Sequence, residues 1–280
     1  MTAAQFNSVA ETEHLAKIVR RHLARMTHAS KSSHIGTCLS IVDVLSVLYG
    51  RVLRFDPNKP KWIERDRFIL SKAHGSAALY AILAEVGYFS KEILDKYYVD
   101  GGILPGHLDR AAVPGVETSG GSLGHGLSLG IGMVLGNQLD AINANVYVLI
   151  GDGECNEGSI WEAAMLAGHL QLRNLVVLID KNQIQSFGNT VDIIDQSNMA
   201  DRWRAFGWNA EIVSNGHDHD LLYQVLTSRV VGSASNRPRA IVLNTVKGKG
   251  VSFMENQLAW HYKSPNDAEL ALALNELDDK

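Results

Sequence analysis

Two apolar runs, Val146–Ile150 and Leu175–Ile179, each break off at a polar turn: Gly151-Asp152-Gly153 after the first and Asp180-Lys181-Asn182 after the second. Between them, from about Glu157 to Leu170, lies a stretch of helical length. Uninterrupted apolar runs this short are expected of strands buried on both faces. A helix joining two such strands makes a parallel pair with a right-handed crossover. The alternation resumes with a strand at Ala210–Val213, a helix over Asp218–Val230 and a strand at Ala240–Asn244. The expected fold class is α/β, a mostly parallel sheet with helices on both faces.

The first third reads helical, with Leu15, Ile18, Val19, Leu23 and Met26 at helical spacing, and Ile41, Val44, Leu45 and Leu48 again. Asp56-Pro57 with Pro60 marks a loop, Arg67–Leu70 a short strand, and Leu79, Ile82, Leu83 and Val86 one face of a helix. Residues 99–126 hold ten glycines and prolines beside His107 and His125, which reads as loops shaped for function. With 280 residues and no Gly/Ser-rich linker, the chain is expected to form one domain over 1–280, its termini frayed, including the acidic tail Asn275–Lys280.

A net charge of −4 gives no general attraction to nucleic acid or anionic membrane, so neither is expected as a partner. Two cysteines, Cys38 and Cys155, make no disulfide scaffold and suit a reducing cytoplasm. Met1–Glu13 shows no basic stretch followed by an apolar run, and the apolar runs are too short to cross a bilayer.

In open parallel sheets, ligands sit beyond the carboxyl ends of the strands. Both polar turns fall there. Glycines 151 and 153 allow close backbone approach, and the free N–H groups of the helix that follows favour an anion such as a diphosphate. The Asp152 carboxylate and the Asn182 amide oxygen are hard donors suited to Mg²⁺. The residues equally allow a tight turn and a cap, and on the two motifs alone both readings stand. The run His217-Asp218-His219-Asp220 reads as a helix cap rather than a metal site. His14, His22 and His28 read as solvated, and Cys155 as space-filling. Gly121–Gly126 is not a dinucleotide fingerprint, because no strong strand precedes it.

Around Gly151-Asp152-Gly153, the 28 residues 154–181 and Asn182, five further motifs occur in order. They are Ser33-His34-Ile35-Gly36, Ser71-Lys72-Ala73-His74-Gly75, Pro105-Gly106-His107, Gly121-Ser122-Leu123-Gly124-His125-Gly126, and Lys247-Gly248-Lys249-Gly250 with His261. The set resembles the diphosphate-binding domain of transketolases over about residues 12–265. The resemblance implies thiamine diphosphate with Mg²⁺, or Ca²⁺ or Mn²⁺, held by Asp152, Asn182 and the carbonyl of Ile184. It implies that Gly153 donates to the diphosphate and that His74 and His261 lie near it and the reacting centre. Gly121 and Leu123 would back the aminopyrimidine. His34 and His107 would face the sugar, so that His34, His107 and His261 form the catalytic set. Glu157 would meet a partner chain beside the cofactor.

In this family the carboxylate that activates the aminopyrimidine comes from a pyrimidine-binding domain that follows the diphosphate domain. The chain ends about 15 residues after the likeness does. The expectation is therefore one half of a split transketolase, inactive alone. In an α₂β₂ heterotetramer it would pair with a pyrimidine-binding subunit and move a two-carbon ketol unit from a ketose or ketose phosphate to an aldose. Ile35 and Leu108 stand where the family usually has proline, which points to a non-standard sugar through the substrate side of the site. The alternatives are the α chain of a 2-oxoacid dehydrogenase and a non-catalytic scaffold.

Overall fold

A computed structural model of the chain describes residues 6–228 and 236–278. The strands are β1 (Arg67–Leu70), β2 (Val146–Gly151), β3 (Leu175–Lys181), β4 (Ile184–Gln185), β5 (Gly188–Asn189), β6 (Asn209–Val213) and β7 (Arg239–Asn244). The helices are α1 (Val9–Ser30), α2 (Ile35–Leu39), α3 (Val42–Val47), α4 (Ser76–Glu85), α5 (Gly126–Leu139), α6 (Gly158–His169), α7 (Thr190–Ile193), α8 (Met199–Ala205), α9 (His219–Thr227) and α10 (Asp267–Asp278).

Five strands form one parallel sheet in the order β1-β2-β3-β7-β6, and β4 and β5 make a small antiparallel hairpin. Alternate residues of each strand enter two separate cores. Phe68, Leu70, Tyr147, Leu149, Leu178 and Leu243 pack under α1, α3, α4, α9 and α10. Ile69, Val148, Ile150, Val177, Ile179 and Val242 pack under α5, α6 and α8. This two-sided burial is why β2 and β3 read as unbroken apolar runs.

The connections β1→β2, β2→β3 and β3→β6 all step one way across the sheet. The connection β6→β7 steps back, with α9 on the opposite face, as a single crossover handedness requires. The strand order therefore reverses between β3 and β7, and loops leaving their carboxyl ends diverge there.

Local signals explain most boundaries. Ser8 and Glu11 form a reciprocal capping box at the start of α1, and Lys31 ends it in the left-handed conformation. Asp218 accepts from the Leu221 amide and caps α9, as read from the sequence. The stretch from 99 to 125 forms no helix or strand. Two expectations need correction. Asn275–Asp278 is not frayed: it completes α10, where Ala273 and Leu277 are buried beside α1. The helix begun at Asp218 ends at Thr227, and the rest of its expected span, 229–230, lies outside the described residues. The other termini named as frayed, 1–5 and 279–280, also lie outside them.

Candidate active site

The carboxyl ends of β2 and β3 are joined by a bond from the Asp152 amide to the Asp180 carbonyl, 3.1 Å long. This fixes the two polar turns against each other. The Asp152 carboxylate, 3% exposed, accepts from the amides of Gly153 (2.8 Å) and Gln183 (2.7 Å) and from the Thr190 hydroxyl (3.2 Å). Asn182 Oδ1 accepts from the Ile184 amide (3.2 Å), and its Nδ2 donates to Asp180 (2.7 Å). Lys247 Nζ donates to the Ile184 carbonyl (2.9 Å). The three residues singled out as metal ligands thus bracket one turn, 182–184, at the mouth of the β3–β7 crevice.

Asp180, fully buried, organises this turn from below. Its carboxylate accepts from Lys72 Nζ (2.5 Å), Ser40 Oγ (2.7 Å), Asn182 Nδ2 and Thr245 Oγ1. Burial works against its charge, yet the Lys72 ammonium and these donors outweigh it and hold the carboxyl below its ordinary range. Asp152 goes the other way: burial, with Asp180 close by, raises it. Its charge has hydrogen bonds and the field of nearby Lys72 and Lys247 but no ion pair among the described residues, since Lys72 pairs with Asp180.

That imbalance is what a divalent cation would correct. The donor set of carboxylate, amide oxygen and backbone carbonyl is all hard oxygen, which fits Mg²⁺, Ca²⁺ or Mn²⁺ and suits no soft metal. Among the described residues no three His, Cys, Asp or Glu groups cluster to hold a metal by themselves. The remaining ligands would have to come from water and the diphosphate.

A second buried carboxylate, Glu154, ties three loops together. It accepts from the Ser71 hydroxyl, the Gly124 amide (2.9 Å) and the Gly151 amide (3.1 Å). Burial raises its pKa against those donors. The residues between Asp152 and α6 form a 3₁₀ turn, Gly153–Asn156, and Glu157 takes the N-cap position of α6. Glu157 is exposed and lies against Gly124, whose Cβ would come within 2.9 Å of that of Glu157. Leu123 is half-buried in the same loop.

Four histidines from four separate segments converge beside the turn. The ring of His34 lies 4.7 Å from that of His74, 5.8 Å from His107 and 5.1 Å from His261, and His74 lies 5.4 Å from His107. His34 sits just before α2 with φ 77°, a costly left-handed conformation held by a bond from its amide to the His261 carbonyl. Lys247 joins the cluster to the turn, since Nζ also lies 2.9 Å from His261 Nδ1. Gly121 faces the cluster: a Cβ there would sit 3.8 Å from the His107 ring. His107 is the exposed member and His261 the buried one.

Burial, then the neighbouring rings and lysines, lowers His34 to about 3, His74 to about 4 and His261 to about 3. All three are neutral at pH 7 and act as hydrogen-bonding imidazoles there. In the unfolded chain they titrate near 6.5. As pH falls below 6.5 the unfolded chain takes up protons that the folded chain refuses. Stability is therefore full above 6.5 and declines toward about pH 3. A His34→Asn variant should lose less stability than the wild type between those values in urea titrations. Parallel pH profiles would contradict the neutral cluster.

The structure brings Asp152, Gly153, Asn182 and Ile184 together, gathers His34, His74, His107 and His261 beside them, and sets Gly121, Leu123 and Glu157 on the adjoining loops. Sequence reasoning missed Lys72, Asp180, Lys247 and Glu154. All four stand inside or beside motifs already singled out, and their ionic character there was the available signal. Other readings change. His22 bonds Glu85 (2.7 Å) and His28 bonds the Pro265 carbonyl (2.9 Å), so of the three helix histidines His14 alone is exposed. His217 and His219 do more than flank a cap, for both bond Asp43 together with Arg20. Ile35 and Leu108 are buried in the core, so what changes at these positions is backbone freedom rather than bulk beside the histidines. Burial pushes Cys38 up to about 11 and Cys155 well above its ordinary value, in keeping with inert thiols.

Residues 12–277 match the family model described as transketolase, thiamine diphosphate binding domain. The 6-deoxy-6-sulfo-D-fructose transketolase subunit SqwG of Clostridium sp. is 40% identical over 96% of this chain and 96% of its own length. An apulose-4-phosphate transketolase subunit from Phocaeicola vulgatus is 40% identical over 93% and 92%. Among solved structures, transketolase from Campylobacter jejuni superposes with a TM-score of 0.88 at 30% identity, covering 97% of this chain. The chain spans 43% of the length of that protein. By the span of the family match and the identity to these relatives, the chain belongs to the transketolase family, in its thiamine-diphosphate-binding domain.

Proposed function

We propose that this chain is the diphosphate-binding subunit of a two-subunit transketolase, and that it moves a two-carbon ketol unit between sugars or sugar phosphates. The observation that carries the proposal is the turn of Asp152, Asn182 and Ile184 linked through Lys247 to four converging histidines. Two relatives that match the chain end to end are themselves named as transketolase subunits.

In this reading Asp152, Asn182 and the Ile184 carbonyl hold a divalent cation, and the Gly153 amide meets the diphosphate. Thiamine diphosphate, when bound, supplies the nucleophilic carbon that a protein side chain lacks. His34 and His107 bind the sugar hydroxyls, His34 as a neutral imidazole, and His261 takes or gives a proton at the reacting centre. His74 and His261 lie along the diphosphate, and Gly121 and Leu123 leave a smooth wall for the aminopyrimidine. Glu157, exposed at the head of α6, meets the partner that supplies the pyrimidine-binding half, within an α₂β₂ heterotetramer. Free Cys38 and Cys155, both buried, suit a cytoplasmic setting. No helix among the described residues is long and apolar enough to cross a membrane.

The test is an assay of the chain alone and with the pyrimidine-binding subunit, each with thiamine diphosphate and Mg²⁺. Two-carbon transfer without CO₂ release, only in the mixture, is the expected result. Decarboxylation of a 2-oxoacid would instead place the chain with 2-oxoacid dehydrogenases, and full turnover by the chain alone would refute the split site.

A further inference from the structure

At the opposite edge of the sheet, where the strands begin, a cavity of about 710 Å³ opens to the surface. Asp66 precedes β1, Asn145 precedes β2, Asn174 precedes β3, and Arg239 starts β7, and all four line it. Its ionic groups are four arginines, Arg54, Arg173, Arg237 and Arg239, against the single carboxylate of Asp66.

The arginines are only partly used by the fold. Arg54 Nη2 donates to the carbonyls of Glu64 and Asn143, both at 2.6 Å, and lies 3.9 Å from Asp66. Arg239 Nη2 donates to Glu211 (2.7 Å), the Val225 carbonyl (2.7 Å) and Ser228 Oγ (3.4 Å). The Nε–H groups of Arg54 and Arg239 are buried and have no partner among the described residues, so it is their Nη groups and the rim arginines that are left to meet a ligand. The guanidinium groups of Arg173 and Arg237 are exposed at the rim and make no hydrogen bond or ion pair among the described residues. Asp66, 3.9 Å from Arg54, offsets one of these charges and Glu211, paired with Arg239, a second, which leaves two arginine charges uncompensated.

Of the carbonyls these arginines meet, that of Val225 lies in the last turn of α9, where a helix end favours a cation, and that contact uses only Nη2 of Arg239. Forked guanidinium donors match phosphate oxygens bidentately, and a phosphate can carry two charges on one group where a carboxylate carries one. The net excess exceeds one charge, which selects for a dianion or more.

We propose that this cavity is a binding site for a multiply charged phosphate, a diphosphate or a phosphorylated small metabolite, at the face of the sheet opposite the cofactor site. It does not depend on the transketolase reading.

The test is calorimetric titration of the full chain with inorganic pyrophosphate in EDTA, where binding at the Asp152 turn lacks its metal. Saturable binding by the wild type and the Asp152→Asn variant is expected, with affinity about tenfold or more weaker in Arg173→Ala/Arg237→Ala. The guanidinium groups of those two arginines make no hydrogen bond or ion pair among the described residues, so the variant should melt with the wild type. Fructose 1,6-bisphosphate as a second probe separates the sources: tighter binding than pyrophosphate marks an organic phosphate, and weaker binding marks a free diphosphate. No binding at millimolar concentration, or equal binding by the double arginine variant, would overturn the proposal.

Discussion

Asp152→Ala is expected to weaken thiamine diphosphate binding in the presence of Mg²⁺ far beyond the ~10–100-fold cost of losing a group that merely orients a metal ligand. The reason is electrostatic. The Asp152 carboxylate is the one anion in the proposed ligand set, and the carbonyl oxygens of Asn182 and Ile184 are neutral. Alanine also strands three donors, the amides of Gly153 and Gln183 and the Thr190 hydroxyl. Asp152→Asn separates the two effects. It keeps an acceptor for the turn and removes the charge, and since burial and Asp180 already oppose that charge, the fold should tolerate it. Titration of the assembled complex with thiamine diphosphate, with and without Mg²⁺, reads the outcome. Affinity within a few-fold of wild type for both variants would mean that the cation is held elsewhere.

Lys72→Met should produce the largest loss of stability, about 3–5 kcal/mol, because it leaves Asp180 charged, buried and without its cation. The pH dependence reverses sign with it. In the wild type Asp180 is depressed, so its pairing contributes above the ordinary carboxylate value near 3.8 and is lost as pH falls further. In the variant an unpaired buried carboxyl is raised, the folded state binds its proton more readily, and stability increases as pH falls toward it. Adding Asp180→Asn to Lys72→Met should recover much of the loss. Urea midpoints for the three proteins settle the matter, and a single-variant loss under about 1 kcal/mol would show that the pair does not hold the turn.

The buried strands were legible because helices cover both faces of the sheet, so that Val146–Ile150 and Leu175–Ile179 had to be apolar throughout. Gly151-Asp152-Gly153 and Asn182 were legible for a related reason: residues that end such strands face the crevice, and polar groups there have no packing role. The order in which β7 inserts between β3 and β6 was not legible, since it depends on which face α9 covers. Neither were the roles of Asp180, Lys72 and Glu154. Each is an ordinary ionic residue in sequence, and only its partner from a segment 83–108 residues away makes it part of the site. The tail was misread because its acidic residues masked Ala273 and Leu277, which dock α10 beside α1. The convergence of His34, His74, His107 and His261 was anticipated through the family likeness, and no spacing rule brings four separate loops to one place.

Diffraction from crystals of this chain with its partner subunit, thiamine diphosphate and Mn²⁺ probes the arrangement most directly, because manganese scatters anomalously. An anomalous peak bonded to Asp152, Asn182 and the Ile184 carbonyl, with the diphosphate completing its shell, is the result expected. A peak at any other position, with the turn at 182–184 empty of metal, would contradict the account.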